Sequence, residues 1–242
     1  MVKGIVPAGG LGTRLMPLTA ITHKHLLPVY DQLMIFYPLK SLIKAGIKDI
    51  MIITSPECEN DYKRVLGNGE SLGINLSYAF QEKPGGIAQA VGLAKDFVGK
   101  DKCVVLLGDN IFEDDITEAV ENFKNQEKGA RIFLKACSDA YRYAVAEVKD
   151  NKVISLIEKP KPEDAKSNLG QTGLYMYDNQ LFDIISTLKP SKRGELEITD
   201  VQNQYLTQGT LEYEEVKGYW IDAGTIDSLY DASKLIRDKK KE

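Results

Sequence analysis

The chain has 242 residues, of which 43% are apolar and 27% charged, and its net charge is −4. This composition is typical of a globular protein, and its acidic balance gives no support for binding to nucleic acid or to a membrane surface. Three widely spaced cysteines fit neither a disulfide framework nor a zinc pattern, which indicates a reducing compartment. Because the start does not resemble a signal peptide and no apolar run has membrane-spanning length, we expect a cytoplasmic protein.

The first predicted strand, residues 3–7, leads directly into a glycine-rich loop that Lys24 follows ten positions after Arg14. Glycines let backbone N–H groups approach anionic oxygens closely, and the two cations add neutralising charge, so the loop predicts a polyphosphate site. Leu15 stands where a dinucleotide fingerprint needs its third glycine, and a Walker sequence is absent. A purely structural glycine turn is the alternative. The loop residues are Ala8, Gly9, Gly10, Gly12, Thr13 and Arg14.

Strands and helices alternate through the first half of the chain. Apolar runs predict strands at 49–54, 74–80 and 102–107, with helices near 33–46, 58–66, 86–98 and 115–127. This order predicts an α/β fold with a doubly wound, mainly parallel sheet whose ligands lie beyond the carboxyl ends of the strands.

The second half is less regular and predicts a smaller, more antiparallel lobe. Strands are expected near 130–137, 143–148, 152–158, 172–177, 213–216 and 219–222, and helices near 179–187, 197–208 and 226–238. No repeat or linker divides the chain. We expect one domain over 1–242, with halves of about 1–128 and 129–242.

Two aspartates at the ends of predicted strands suggest a metal site. Asp109 comes after the apolar run 102–107, and Asp222 precedes a glycine turn. Carboxylates at strand ends suit a hard divalent cation beside phosphates. An Asp-Asn turn or a helix cap at Asp109 is the alternative unless the second carboxylate converges there.

Three further segments are ambiguous from the residues alone. Lys159 after Glu158 could hold a second phosphate or form a surface charge pair. Gln81 and Gly86 could read the edge of a base, although Pro-Gly-Gly is also an ordinary turn. The segment 193–200 resembles the start of a helix and has a structural, interface-forming or substrate-facing interpretation.

The only two histidines, His23 and His25, flank Lys24. They lack a nearby third His or Cys ligand, which disfavours a zinc site. No Ser-His-Asp or Cys-His arrangement is visible in the sequence.

In combination the motifs resemble the sugar-nucleotide pyrophosphorylases, and most closely the glucose-1-phosphate thymidylyltransferases. The resemblance covers nearly the whole chain. It rests on GGLGTRLMPLT (9–19), KHLLPVYD (24–31), GIAQA (86–90), LGDNIF (107–112), EKPK (158–161), TGLYMYD (172–178), RGELEITD (193–200) and WIDAGT (220–225).

The resemblance implies a Rossmann-like nucleotidyltransferase fold, with a sugar-binding second lobe, and transfer of a nucleotidyl group from dTTP to a sugar 1-phosphate. It also implies Mg²⁺ as cofactor and a homodimer or homotetramer. UTP or CTP as donor, and a non-catalytic sugar-nucleotide sensor, are the alternatives. The implied roles are nucleotide binding by Ala8, Gly9, Gly10, Gly12, Thr13, Arg14, Lys24, Gln81 and Gly86; metal binding by Asp109 and Asp222; sugar-phosphate binding by Asn110, Ala144, Glu158, Lys159, Gln171 and Tyr175; and catalysis by Arg14, Lys24, Asp109, Lys159 and Asp222.

Three residues depart from the family pattern. Pro7 replaces a leucine and removes one backbone N–H near the nucleotide. Ala144 replaces a glycine that contacts the sugar, and Gln171 replaces a small apolar residue in the same pocket. The last two changes predict an altered preference at the sugar hydroxyls.

Overall fold

The structure is a computed structural model that describes residues 1–241. The predicted strands and helices are present with small shifts in their bounds, except that one predicted helix is divided in two. The strands in this part of the chain are β1 (Val2–Pro7), β2 (Pro28–Val29), β3 (Gln32–Leu33), β4 (Asp49–Thr54), β5 (Asn75–Phe80), β6 (Lys102–Leu106), β7 (Asn110–Phe112), β8 (Ala130–Ala136), β9 (Ala144–Lys149), β10 (Lys152–Glu158), β11 (Leu169–Tyr177), β12 (Leu211–Glu215) and β13 (Trp220–Asp222).

Helices cover both faces of the large sheet, whereas the last helix, which follows the last strand, packs in a separate apolar cluster with residues such as Leu27 and Val29. No helix in residues 1–241 is long and apolar enough to cross a membrane. The helices are α1 (Phe36–Lys44), α2 (Glu59–Leu66), α3 (Ile87–Gly92), α4 (Lys95–Val98), α5 (Thr117–Asn125), α6 (Gln180–Thr187), α7 (Ile198–Thr207) and α8 (Ile226–Lys239).

A large sheet runs through both halves of the described chain in the order β10-β9-β11-β6-β1-β4-β5; β8 joins it beside β11, and β12 pairs with β8. Strands β6, β1, β4 and β5 are mutually parallel, as the alternation in the first half predicts. Strands β9, β10 and β11 pair antiparallel, and β11 pairs antiparallel with β6. The mainly parallel sheet with a more antiparallel second lobe is therefore confirmed.

The central strands are apolar on both faces because helices cover both faces. Ile5 and Ile53 pack into one core, whereas their neighbours Val6 and Ile52 pack into the other. This alternation follows from the period of two in a strand. It explains why the central strands appear in the sequence as continuous apolar runs.

One predicted helix is wrong in its extent. The expected helix at 86–98 is divided into α3 and α4. Gly92 ends α3, and a Cβ at this position would lie 3.3 Å from Cγ2 of Ile185 on α6. Glycine permits this close packing but weakens a helix interior, which accounts for the break.

A short two-stranded ladder completes the fold. Strand β7 pairs antiparallel with β13, and this register sets Asp222 opposite Asn110. Helix α8 begins just after β13 with a capping box, in which the Thr225 hydroxyl accepts from the Ser228 N–H. The ladder and the cap together fix the backbone around Asp222.

Candidate active site

A cavity of about 480 Å³ opens at the carboxyl ends of the parallel strands and extends across β9 and β11. Most of the site residues expected from the sequence line it. These are Gly9, Gly10, Arg14, Lys24, Gln81, Gly86, Asp109, Asn110, Ala144, Glu158, Lys159, Gln171, Tyr175 and Asp222.

Three expected nucleotide-binding residues, Ala8, Gly12 and Thr13, are absent from the lining that the described residues form. Ala8 is fully buried, and its N–H donates to the carbonyl of Ile53. Gly12 has a φ of +60°, and a Cβ there would lie 2.9 Å from Cγ2 of Thr19. These residues shape the loop that presents its neighbours to the cavity.

Lys24 and Asp109 form an ion pair within the cavity. Lys24 Nζ lies 2.5 Å from Asp109 Oδ2, and their side chains are only 15% and 11% exposed. Although burial opposes ionisation, the charge of Lys24 and hydrogen bonds to the carboxylate lower the pKa of Asp109. Asp109 therefore remains a carboxylate at neutral pH.

Asp222 shows the opposite shift. Burial, followed by repulsion from the Asp109 carboxylate, raises the pKa of Asp222 to about 6, against the partial opposition of Lys24 and Arg14. The backbone keeps the two aspartates together, because the N–H of Ala223 donates to the carbonyl of Asp109 over 2.9 Å. Two adjacent carboxylates in one cavity, one with a raised pKa, are typical of a functional site.

Asn110 is held by three contacts. Its Oδ1 accepts from the Trp220 indole N–H at 2.6 Å and from the Gly173 N–H at 2.9 Å. Its Nδ2 donates to Asp109 Oδ1 at 3.0 Å. Asn110 thereby connects β13 and β11 to the Asp109 carboxylate.

Arg193 belongs to a charged network beside the cavity. Its Nη2 lies 2.7 Å from Glu197 Oε2 and 3.5 Å from Glu158 Oε1. Glu158 also accepts a hydrogen bond from the Thr199 hydroxyl. Lys159 lies 3.4 Å from Glu158 and has a φ of +40°, a strained conformation of the kind that clusters at functional sites.

Gln81 is anchored at the other side of the cavity. Its Nε2 donates to the carbonyl of Gly86 at 3.2 Å and to Gln89 Oε1 at 2.7 Å. Gly86 has a φ of +96°, and a Cβ there would lie 2.4 Å from the carbonyl oxygen of Leu196. The close approach of the Leu196 backbone is a structural reason for glycine at this position.

The two histidines are buried together. The Nδ1 atoms of His23 and His25 are 3.1 Å apart, and the Tyr62 hydroxyl lies 3.0 Å from His23 Nδ1. Burial, with the charge of Lys24, lowers the pKa of both imidazoles, which are neutral at pH 7. Among residues 1–241 no group of three His, Cys, Asp or Glu side chains is arranged to hold a metal ion.

Comparison with known proteins assigns the family. A family model described as nucleotidyl transferase matches residues 3–239. The chain belongs to this nucleotidyl transferase family. It is therefore an enzyme of the sugar-1-phosphate nucleotidyltransferase type that the sequence motifs predict.

Curated members of the family are similar over almost the whole chain. The glucose-1-phosphate thymidylyltransferase of Neisseria meningitidis is 43% identical over 98% of this chain and 83% of its own length. The enzyme of the same name from Xanthomonas campestris is 46% identical over 97% of this chain and 80% of its own length.

Solved nucleotidyltransferase structures have the same fold. A Bacillus anthracis protein, described as a candidate glucose-1-phosphate thymidylyltransferase and crystallised with sucrose, superimposes with a TM-score of 0.94. The two sequences are 50% identical, and the match covers 98% of this chain and 96% of the other. A UDP-glucose pyrophosphorylase with 24% identity superimposes with a TM-score of 0.87 over 99% and 100% of the two chains, which supports the fold.

The nucleotidyltransferase cavity also contains residues that the sequence interpretation missed. Trp220 and Tyr143 lie edge to face, with ring centroids 4.8 Å apart. Arg193 belongs to the segment 193–200, for which a substrate-facing role is one of three interpretations, and no sequence signal favours that role over the others. In contrast, the position of Asp109 and Asp222 at the ends of predicted strands is a sequence signal that suggests one site for these two distant residues. The further lining residues are Pro7, His25, Pro84, Ile87, Ala90, Leu107, Arg142, Tyr143, Thr172, Gly173, Arg193, Glu195, Glu197, Ile198 and Trp220.

Proposed function

We propose that the protein transfers a thymidylyl group from dTTP to a sugar 1-phosphate, with glucose 1-phosphate as the first expected substrate. The products are a dTDP-sugar and pyrophosphate. The observation that carries the proposal is a single cavity in which two carboxylates and cationic side chains lie between the glycine loop and strands β9 to β11. The names of the similar curated enzymes support this choice of donor and acceptor.

The reaction needs no general base on the protein. An oxygen of the sugar phosphate attacks the α-phosphorus, a new P–O bond forms, and the bond from the α-phosphorus to the bridging oxygen breaks. Pyrophosphate leaves with the electron pair. Because both reactants are anions, the protein contributes alignment and stabilisation of negative charge.

The positions of the cations suggest a division of this work. Arg14 and Lys24, at the glycine-loop end, neutralise the triphosphate. Lys159 and Arg193, at the β9–β11 end, seat the sugar phosphate. Lys24 exchanges part of its contact with Asp109 for the phosphates when these bind.

Asp109 and Asp222 fit a magnesium ion. Mg²⁺ binds through one or two carboxylates plus phosphate oxygens and water, and does not need a complete protein cage. Two adjacent carboxylates without a third acidic or imidazole ligand match this requirement within the described chain. When bound, the ion supplies positive charge that stabilises the phosphates during transfer.

The two ends of the cavity also suggest how substrates are recognised. Gln81, fixed by Gly86 and Gln89, faces the nucleobase, and Gly9 and Gly10 contact the triphosphate. Glu158 and Tyr175 face the sugar from β10 and β11.

The proposal is tested by incubating the protein with dTTP, UTP or CTP, each against a panel of hexose 1-phosphates, with and without Mg²⁺. We expect pyrophosphate release and a dTDP-sugar by mass spectrometry, dependent on Mg²⁺. Absence of pyrophosphate with every pair contradicts an enzymatic role. Faster turnover of UTP or CTP than of dTTP contradicts the assignment of the donor.

A further inference from the structure

Gln171 is a buried amide that the protein itself does not satisfy. Its side chain is 4% exposed and lines the cavity, and its Nε2 has no hydrogen-bond partner within the described chain. Buried amide nitrogens are normally paired, because leaving one unpaired forfeits its hydration without compensation. An exception at the wall of a cavity points to a partner from outside the protein.

The sheet register shows where this amide stands. Gly170 on β11 pairs with Val145 on β9, so the next position sets Gln171 beside Ala144. Ala144 in turn lies opposite Glu158 on β10. Residues directly opposite one another share a face of the sheet, so Glu158, Ala144 and Gln171 form one row across three strands. All three line the cavity.

A structural role does not explain Gln171. Its neighbour Thr172 donates its hydroxyl to the carbonyl of Phe133, away from the row. Gln202, a glutamine buried in α7 outside the cavity lining of the described residues, has its amide nitrogen satisfied: Nε2 donates to the Tyr177 hydroxyl at 2.8 Å, and only Oε1 lacks a partner there. Gln171 is also buried, but its amide nitrogen is the unpaired atom and its side chain lines the cavity.

We propose that the Gln171 amide hydrogen-bonds to a hydroxyl of the sugar 1-phosphate and is a specificity-determining residue. The inference rests on the proposed function and deepens it. The substrate class is a hexose 1-phosphate with a hydroxyl at the ring position that faces Gln171, and the deoxy sugar that lacks this hydroxyl is rejected. The Ala144 methyl group occupies space beside the amide and favours a hydroxyl over a bulkier substituent there.

The test combines one protein change with one substrate change. Wild type and Q171V are assayed with dTTP, Mg²⁺ and the hexose 1-phosphate of highest kcat/KM, and with its 2-, 3-, 4- and 6-deoxy derivatives. We expect one deoxy derivative to lose about 10- to 100-fold in kcat/KM with wild type. In Q171V that loss should shrink to less than about threefold, because the hydroxyl no longer has its partner. KM for dTTP should be unchanged.

A matched control is Q202M, which removes a buried amide outside the cavity. It should keep the wild-type ranking of all five sugars, whatever its effect on stability. Q171M, which keeps the size of the side chain but has no amide, provides a second variant should Q171V fold poorly. An identical deoxy-sugar profile in wild type and in the folded Gln171 variants overturns the proposal.

The outcome is separable from that of the proposed function. If wild type releases no pyrophosphate with any pair, the proposed function fails. The same sugar phosphates are then titrated by calorimetry against wild type and Q171V. Loss of one hydroxyl should weaken binding to wild type alone, and equal weakening in both proteins contradicts the role of Gln171.

Discussion

The two ends of the cavity differ in charge. At the glycine-loop end the lining side chains include four ionisable ones, Arg14, Lys24, Asp109 and Asp222. At the β9–β11 end a charged network is combined with neutral side chains. At the loop end Lys24 and Asp109 form an ion pair, and Asp222 is repelled by Asp109 and attracted by Lys24 and Arg14. At the other end, Ala144 and Gln171 contribute a methyl group and an amide. Under the proposed function, we expect the loop end to provide the chemistry and the β9–β11 end to select the sugar.

The largest effects are expected from the two aspartates, which should separate activity from stability. D109N and D222N should each lower kcat by about 10³-fold, because charge stabilisation by a bound metal amounts to several kcal/mol. Their stabilities should move in opposite directions. D109N leaves Lys24 with a neutral acceptor in place of its carboxylate and should destabilise the metal-free protein by about 1–3 kcal/mol, whereas D222N removes carboxylate repulsion.

D222N should stabilise the metal-free protein at pH 8 by about 1–3 kcal/mol. Folding raises the pKa of Asp222 to about 6, so its ionised form weakens the folded state above that pH, and this penalty is absent below its ordinary pKa. Most of the gain should therefore be lost at pH 4, which lies close to that ordinary pKa. Urea unfolding of wild type and D222N at pH 8 and pH 4 measures this difference in the free energy of unfolding. Equal stability of wild type and D222N at pH 8 would contradict the claim that the ionised Asp222 carboxylate destabilises the folded protein.

The second largest effect concerns Arg193 and the acceptor. R193Q should raise KM for the sugar 1-phosphate by about 10- to 100-fold, since it removes a charge-assisted hydrogen bond to phosphate. KM for dTTP should stay within about twofold. R237Q, which removes an exposed arginine on α8, is the matched control and should change neither constant. A similar rise in KM for both substrates would contradict a role of Arg193 that is confined to the sugar 1-phosphate.

The pH dependence of metal affinity follows from Asp222. Below pH 6 its carboxyl binds a proton that Mg²⁺ must displace, so affinity should fall about tenfold per pH unit. Asp109, whose pKa is lowered, should contribute no step between pH 5 and 7. Calorimetric titration with Mg²⁺ measures this dependence. D222N should bind more weakly and without the pH step; the same step in D222N would assign it to another group.

The smallest effect is expected at Ala144. A144G should raise kcat/KM for a hexose 1-phosphate with a bulkier substituent by about three- to tenfold, because one methyl group in a pocket is worth about 1 kcal/mol of discrimination. A146G, two residues along β9 and away from the cavity lining in residues 1–241, should cost stability without changing the sugar profile. A uniform change for all sugars in A144G would contradict a local steric role.

The sequence predicted the architecture well because apolar runs and their spacing report burial directly. Strand β4 lies where residues 49–54 predicted it, and α8 differs from its predicted bounds by one residue. The sequence also predicted a metal site from Asp109, which follows a strand, and Asp222, which ends one. The break between α3 and α4 was not, because it depends on the distance between Gly92 and Ile185, which are far apart in sequence.

The finer structure of the site could not be predicted from the sequence, because it also depends on contacts between residues that are far apart in the chain. Strand β7 has only three residues, too few to show a period, and its partner β13 is more than a hundred residues away. The contact between Trp220 and Asn110 depends on that pairing. Arg193 appears in the sequence as one charge among several, and only the packing of its segment against Gly85 and Gly86 brings it to the cavity.

The ladder between β7 and β13 has a consequence for how the enzyme is made. It joins Asn110 to Trp220 across 110 residues, and it sets Asp222 beside Asp109. During synthesis the glycine loop, the parallel strands and Asp109 leave the ribosome long before Asp222 does. Chains that end before β13 hold one of the two carboxylates, so under the proposed function we expect premature termination to yield proteins with much of the sheet but no nucleotidyl transfer.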